Sequence, residues 1–476
     1  MLPDRTTEPI LLAGRIESRA ETVTIRNPYN NALVGAVCQA SLEDAETACA
    51  AAVRGFAMTR KLAAWERAAI LTRIADALAA EAGDIAQTIV LEAGKPLKDA
   101  LGEVSRAVNT FRIAAEEAKR IDGEVKPADW IAGTEGRVAL SRRFPIGPIL
   151  GITPFNFPLN LVAHKLAPAI ASGNPVVIKP APQTPFTALR LGRIAVEAGW
   201  PAEAISVLPC SNEAAAAMVT DDRMAMLSFT GSVLVGWKLK EMAPRKRVTL
   251  ELGGNAAVIV CADANMELAA QRILAGGYTY AGQSCISVQR VYAHTSVLSD
   301  LVKRISDGLS KLEVGDPALE TTRVGPMINL GAAERAESWI GEAVNAGATL
   351  HAGGQRNGTT LMPALLTGVP ADCLLCREEA FAPIVVVNSF DDLDEALAAT
   401  NASLYGLQAA IFTASWASMA QAWNELEVGA VLVDESSAWR ADQLPYGGVK
   451  NSGVGKEGVR SAIEEMTESR MLIVPV

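Results

Sequence analysis

"PILGITPFNFPLNLVAHKLAPAIASGNPVVIKP", residues 148–180, contains two short apolar runs, PILGIT and NPVVIKP. Each is rich in Ile or Val and bounded by Pro, Gly, Asn or Thr, as expected of a buried strand. Thr184 and Pro185 then open a helix that ends near Gly199, with Thr as cap and Pro in the first turn. AISVLP, an Ala-rich helical stretch, MAMLSFT, GSVLVGWKLKEMA and RVTLELGGNAAVIV continue the alternation to residue 260. Strands separated by helices predict an α/β fold with a parallel, doubly wound sheet.

Upstream, residues 41–120 read as helices. SLEDAETACAAAVRGF has Ser41 as its N-cap, and residues 63–95 carry apolar positions at helical spacing up to a Gly94-Lys95 stop. Downstream, a second α/β region begins near Gly254, with SVQRVYAHT and APIVVVNSF as strands and a helix through LSDLVKRISDGLSKL. The chain shows no internal repeat.

The 476 residues are too many for one hydrophobic core, so two or three domains are expected. Net charge is −10 and no basic stripe interleaves with aromatics, which argues against nucleic acid or an anionic membrane as partner. The opening MLPDRTTEPILLAGRIE lacks the basic end and long apolar stretch of a leader. No apolar run reaches the length of a membrane span. The seven cysteines, at 38, 49, 210, 261, 285, 373 and 376, are dispersed and odd in number, which suits a reducing cytoplasm. The CLLC at 373–376 has no second pair and no nearby His, so no metal site is expected there.

One glycine pattern of dinucleotide type occurs, GVGKEG at 453–458. Too little chain follows it for a βαβ unit, so it reads as a turn before the final helix. FTGSVLVG is a better phosphate site, because Gly231 and Ser232 follow an apolar run and open a helix. A tight strand-to-helix turn would look the same.

Cys285 lies in YAGQSCIS with no charged neighbour. Free cysteines are usually small buried hydrophobes, and a reactive one needs help in forming a thiolate. His164, His294 and His351 are the only histidines, and none sits in a catalytic motif. Glu251 ends an apolar strand before two glycines in LELGG, where desolvation would raise its pKa toward that of a general base. It reads equally well as a strand-end surface charge. Asn156, between two aromatics in PFNFP, can donate to an oxyanion or serve as a turn residue.

Together, PFNFP, KPAPQTP, FTGS, LELGG, GQSC, EEAFAP and YGGVKNSGVGKEG resemble the NAD(P)-dependent aldehyde dehydrogenase superfamily in order and approximate spacing, from about residue 24 to the last strand. The tail SSAWRADQLPYGGVKNSGVGKEG looks most like its non-phosphorylating branch for lactaldehyde, glycolaldehyde, glyceraldehyde-type and related small aldehydes. The resemblance implies a Rossmann-like cofactor domain (residues 1–126 and 145–253), a catalytic domain (254–459) and a small β oligomerisation arm (127–144 and 460–476). The closing SRMLIVPV would pair across subunits with a hairpin near 127–144, in a homodimer or homotetramer.

The resemblance also assigns roles. Cys285 would be the nucleophile, Glu251 the base, and Asn156 with the Cys285 N–H the oxyanion hole. Lys165 and Glu457 would relay protons around the base. Lys179 would bind the adenosine ribose, Gly231 and Ser232 the pyrophosphate, and Glu379 the other ribose, with Phe381 near the nicotinamide. Pro182 stands where strongly NAD-preferring members often carry an acid, so NAD and NADP are both admissible.

Phe157, Ser284 and Ile286 flank the catalytic groups, and none is charged, which argues against strong anion recognition beside the reactive centre. Arg106 and Arg440 can meet a more distant anionic group, although solvated or structural roles are commoner for arginine. Two rival functions stand beside aldehyde oxidation to the acid: acyl transfer to coenzyme A, against which Glu251 argues, and a non-catalytic binding protein on the same scaffold.

Overall fold

The computed structural model describes residues 7–476. The first six positions, part of the expected cofactor domain and of the segment read for a leader, lie outside the described residues. Among those described, no helix is long and apolar enough to cross a membrane.

The two runs that opened the sequence reading form neighbouring parallel strands, Ile149–Ile152 and Val176–Lys179. Both are buried at every position, as continuous Ile and Val runs require when helices cover both sheet faces. Ile205–Val207 extends the sheet on one side. Met226–Thr230 and then Arg247–Glu251 extend it on the other. Strand order therefore reverses between Ile149–Ile152 and Met226–Thr230, and the crevice beyond their carboxyl ends is where such sheets bind ligands. Asn156 follows the first of these strands, and Gly231 with Ser232 follows the second.

Antiparallel strands close the sheet: Ile10–Leu12 against Ile205–Val207, followed by the edge strand Arg15–Glu17, and Gly453–Val454 against Arg247–Glu251. GVGKEG is thus partly an edge strand and then, at Gly458, the cap of the last helix, Val459–Glu465. A second sheet runs in the order 349–352, 364–367, 384–390, 290–294, 257–260, 408–412, 430–433, parallel except for its first strand.

Ser41 caps Leu42–Thr59 in a reciprocal capping box with Asp44. The pattern over residues 63–95 divides at Glu81 into Ala64–Ala80 and Ala82–Ala93, and Gly94 ends the second helix in the left-handed region, at φ 66°. The expected cap at Thr184 does not form. The helix is Phe186–Glu197 with Pro185 at its N-cap position, and the buried Thr184 hydroxyl has no hydrogen-bond partner among the described residues. Glu92 supplies the cap from another helix: its carboxylate accepts the Phe186 N–H at 2.9 Å, the Thr187 N–H at 3.2 Å and the Thr187 hydroxyl.

The closing strand also departs from expectation. Thr467–Pro475 pairs along its whole length with Arg137–Pro145 of the same chain, and Val125–Pro127 completes a three-stranded arm. Leu472, Ile473 and Val476 stand exposed on it.

Candidate active site

Cys285 follows an unusual turn. After helix Met266–Tyr278 the chain passes through Tyr280, Ala281 and Gly282 at φ of 50°, 52° and 66°. Two non-glycine residues in the left-handed region cost energy and persist only where surrounding contacts impose them. Those contacts are present. The Tyr280 hydroxyl donates to the Ala93 carbonyl at 3.1 Å, and the Gln283 side chain accepts the Ile328 N–H at 2.8 Å. The Asn156 amide donates to the Gln283 carbonyl at 3.0 Å, which ties the loop after the first-sheet strand to the cysteine loop.

Burial pushes the Cys285 thiol up to about 12, and the negative charge of Glu379 and Glu251 adds to the rise. Two groups pull the other way. The Tyr446 hydroxyl lies 3.0 Å from Sγ, and the Arg440 guanidinium is 3.7 Å from the centre of the Tyr446 ring. No histidine bonds the sulfur. His164 is buried against Asp442, with its Nε2 at 2.8 Å, while His294 and His351 bond Ser296 and Thr367 elsewhere.

Glu251 ends its strand as expected, but it is no surface charge. Both carboxylate oxygens are buried and lack a hydrogen-bond partner among the described residues. Burial holds its pKa well above the usual carboxylate range, and the neighbouring Glu457 charge adds to the rise. Gly447 makes room for it, since a Cβ there would sit 2.9 Å from Glu251 Oε1. Beneath lies a charged row. Lys165 donates to Thr230 Oγ1 at 2.8 Å and to Ser228 Oγ at 3.1 Å, and pairs with Glu457 at 3.2 Å. Arg440 reaches the other Glu457 oxygen at 3.3 Å. Burial alone would raise Glu457, but Lys165 and Arg440 hold it below the usual range.

One cavity of about 400 Å³ gathers most of the expected residues. Cys285, Glu251, Asn156 and Glu457 line it, as do Phe157, Ser284 and Ile286. So do Gly231, Ser232, Glu379 and Phe381, and both Arg106 and Arg440. Lys165 lies behind the wall, while Lys179 and Pro182 flank the end of the neighbouring strand outside it. Arg440 is therefore not a solvated residue: its side chain is 8% exposed, and its Nε lies 3.9 Å from Asp442 Oδ1, with no hydrogen-bond partner among the described residues. Arg106 makes a two-pronged pair with Asp442, at 2.7 and 3.1 Å. The uncharged residues Phe157, Ser284 and Ile286 thus share the cavity with two arginines that the chain brings there from far along the sequence.

On the cofactor side, Ser232 occupies the N-cap of Val233–Met242 without a capping hydrogen bond, and it lines the cavity. The Gly231 N–H is already spent on the Glu251 carbonyl at 3.1 Å, so the residue contributes space and not a donor. Among the described residues, Lys179 Nζ finds only the Pro180 carbonyl, at 3.5 Å. A helix N-terminus, an ammonium without a counter-ion and an orphan Thr184 hydroxyl suit a phosphate- and ribose-bearing ligand. Glu379 accepts the Gly254 N–H at 3.0 Å, and burial pushes it to about 7. Phe381, at φ 50°, meets Phe155 edge to face at 5.9 Å.

Sequence reasoning missed Tyr446 and Asp442, although both lie inside the quoted tail, and it passed over Lys95 as a helix stop. Among the described residues no group of three or more His, Cys, Asp or Glu side chains gathers to hold a metal. Cys373 and Cys376 are free.

A profile of the aldehyde dehydrogenase family matches residues 16–472. The chain belongs to that family. It is 42% identical over 462 residues to a 3-sulfolactaldehyde dehydrogenase of Priestia aryabhattai, covering 97% of this chain and 96% of that one. Among solved structures, aldehyde dehydrogenase 21 from Physcomitrella patens, in complex with the reaction product succinate, superposes with a TM-score of 0.97 at 40% identity, covering 99% of both chains. A glyceraldehyde-3-phosphate dehydrogenase from Methanocaldococcus jannaschii, complexed with NADP, gives 0.93 at 35% identity, over 97% of this chain and all of the other. The protein is an enzyme of aldehyde oxidation, with the aldehyde dehydrogenase fold and relatives in the non-phosphorylating branch.

Proposed function

We propose that the enzyme oxidises a small aldehyde bearing an anionic group to the carboxylic acid, with NAD or NADP as hydride acceptor. One observation carries the reading: Arg106 and Arg440 line the same cavity as Cys285 and Glu251. Guanidinium groups suit carboxylate, sulfonate and phosphate because their planar donors match those anions. The relatives are named for a sulfonate- or phosphate-bearing aldehyde, or hold the dicarboxylate succinate.

Cys285 Sγ adds to the aldehyde carbon, and the resulting oxyanion takes hydrogen bonds from the Asn156 amide and the Cys285 N–H. Lys179 and Ser232 would hold the cofactor's ribose and phosphates, and Glu379 and Phe381 would meet its second ribose and nicotinamide. The nicotinamide, when bound, supplies the hydride acceptor that turns the adduct into a thioester. Glu251, buried and unpaired, then takes a proton from water and so releases the acid. Lys165 and Glu457 pass that proton away. The described residues up to 126, with 145–253, form the cofactor domain, 254–459 the catalytic domain, and the exposed arm joins copies of the chain into a dimer or tetramer in the cytoplasm.

The test is reduced-nicotinamide formation across small aldehydes, with NAD and NADP separately. Turnover is expected without coenzyme A, and Cys285→Ala should abolish it. Turnover that persists in Cys285→Ala, or that requires coenzyme A, contradicts the reading.

A further inference from the structure

Lys95 takes no part in these steps, yet its ammonium is buried behind the wall that carries both oxyanion donors. Its side chain is 1% exposed, and that of its ion-pair partner Glu103 is 0%. Burial pulls the Lys95 pKa below its ordinary value. An apolar side chain of similar volume would often fill such a site at no loss of stability. Packing alone therefore does not account for a charge here.

The contacts around the ammonium give it a role. Nζ lies 3.7 Å from the centre of the Phe157 ring and 4.5 Å from that of Tyr280. The two rings meet edge to face at 6.5 Å. Phe157 directly follows Asn156, and Tyr280 begins the left-handed run that presents Cys285. Glu103 accepts the N–H groups of Leu159 at 2.9 Å and Asn160 at 3.0 Å, so it fixes the far end of the Asn156 turn. The Tyr280 hydroxyl donates to the carbonyl of Ala93, two residues before Lys95 in the chain. One cation, attracted to two ring faces and anchored by one carboxylate, thus joins two loops that are distant in sequence.

We propose that Lys95 is a positioning residue: held by Glu103, it fixes Phe157 against Tyr280 and so sets the separation between the Asn156 amide and the Cys285 N–H. The proposal rests on the reading of those two groups as the oxyanion donors. Its consequence is specific. Losing the ammonium should harm steps that form an oxyanion and spare the sulfur's own nucleophilicity.

Two cofactor-free reactions of the full-length enzyme separate these. With p-nitrophenyl acetate, Sγ bonds to the acyl carbon through an oxyanion and p-nitrophenolate leaves, so the first turnover reports the oxyanion step. With iodoacetamide, Sγ displaces iodide and no oxyanion forms. In Lys95→Met, acylation should fall by about 10- to 100-fold, while alkylation stays within about twofold of the parent. Asn156→Ala should show the same split, and adding Lys95→Met to it should cost little more.

A folded Lys95→Met enzyme that acylates at the parent rate, or loses alkylation equally, overturns the proposal while leaving the oxyanion reading intact. Parent-rate acylation by Asn156→Ala instead overturns the oxyanion reading, and the proposal with it. If Lys95→Met does not fold, Phe157→Leu, which keeps the Lys95–Glu103 pair, decides by the same ratio: the split supports the proposal and its absence overturns it.

Discussion

The groups that oppose the effect of burial on Cys285 are ones that local sequence does not reveal. Burial drives its thiol to about 12, and the Tyr446 hydroxyl at 3.0 Å is the nearest group opposing that rise. Tyr446→Phe should therefore move the pH profile of iodoacetamide alkylation upward and slow the reaction at pH 8 by about fivefold, the worth of one net hydrogen bond. An unmoved profile would show that Tyr446 does not support the thiolate. Cys285, Glu251 and Asn156 were legible because each is a reactive type in an apolar or small-residue setting, within an ordered series of motifs. Tyr446 was not, since an aromatic in a loop reads as packing until its hydroxyl is placed. For Arg440 the sequence left solvated, structural and ligand roles open, because its counter-ions, Glu457 and Asp442, are visible as partners only in the fold.

At the scale of the element, the helix Phe186–Glu197 shows where local rules stop. Thr184-Pro185 has the composition of a helix start, yet the donors at that start are satisfied by Glu92, which no local pattern could name. Burial pushes the Glu92 carboxyl up to about 7. Because the folded pKa exceeds the unfolded one, this group's contribution is fully present below the ordinary carboxylate range. It is lost as pH rises through about 7. Between pH 5 and 8 the thermal midpoint should fall in the parent by a few degrees more than in Glu92→Gln, which keeps an acceptor for the same N–H groups. Parallel melting curves across that range would contradict this assignment. By contrast, the Ser41–Asp44 capping box and the Gly94 stop lie within a few residues of their helices, and both were legible.

For the whole molecule, the strand–helix alternation was enough to predict the parallel sheet, and its order reversal places the cavity at the carboxyl ends of Ile149–Ile152 and Met226–Thr230. Long-range returns were not legible. GVGKEG looks like a local glycine turn, but it adds an edge strand and carries Glu457 to Lys165. The closing strand pairs with residues 137–145 of its own chain, a register that only the folded chain displays. The same long-range folding brings Arg106 and Arg440 to one cavity, and the central claim, an anionic aldehyde as substrate, rests on that convergence. The most direct measurement compares kcat/KM for a carboxylate- or sulfonate-bearing aldehyde with that for an uncharged aldehyde of equal size, in the parent and in Arg440→Gln. The parent should favour the anionic substrate by about 100-fold, and Arg440→Gln should remove most of that preference, over and above any loss that both substrates share through Cys285 and Glu457. Equal kcat/KM for both substrates in the parent, or a preference that survives in Arg440→Gln, would contradict the account.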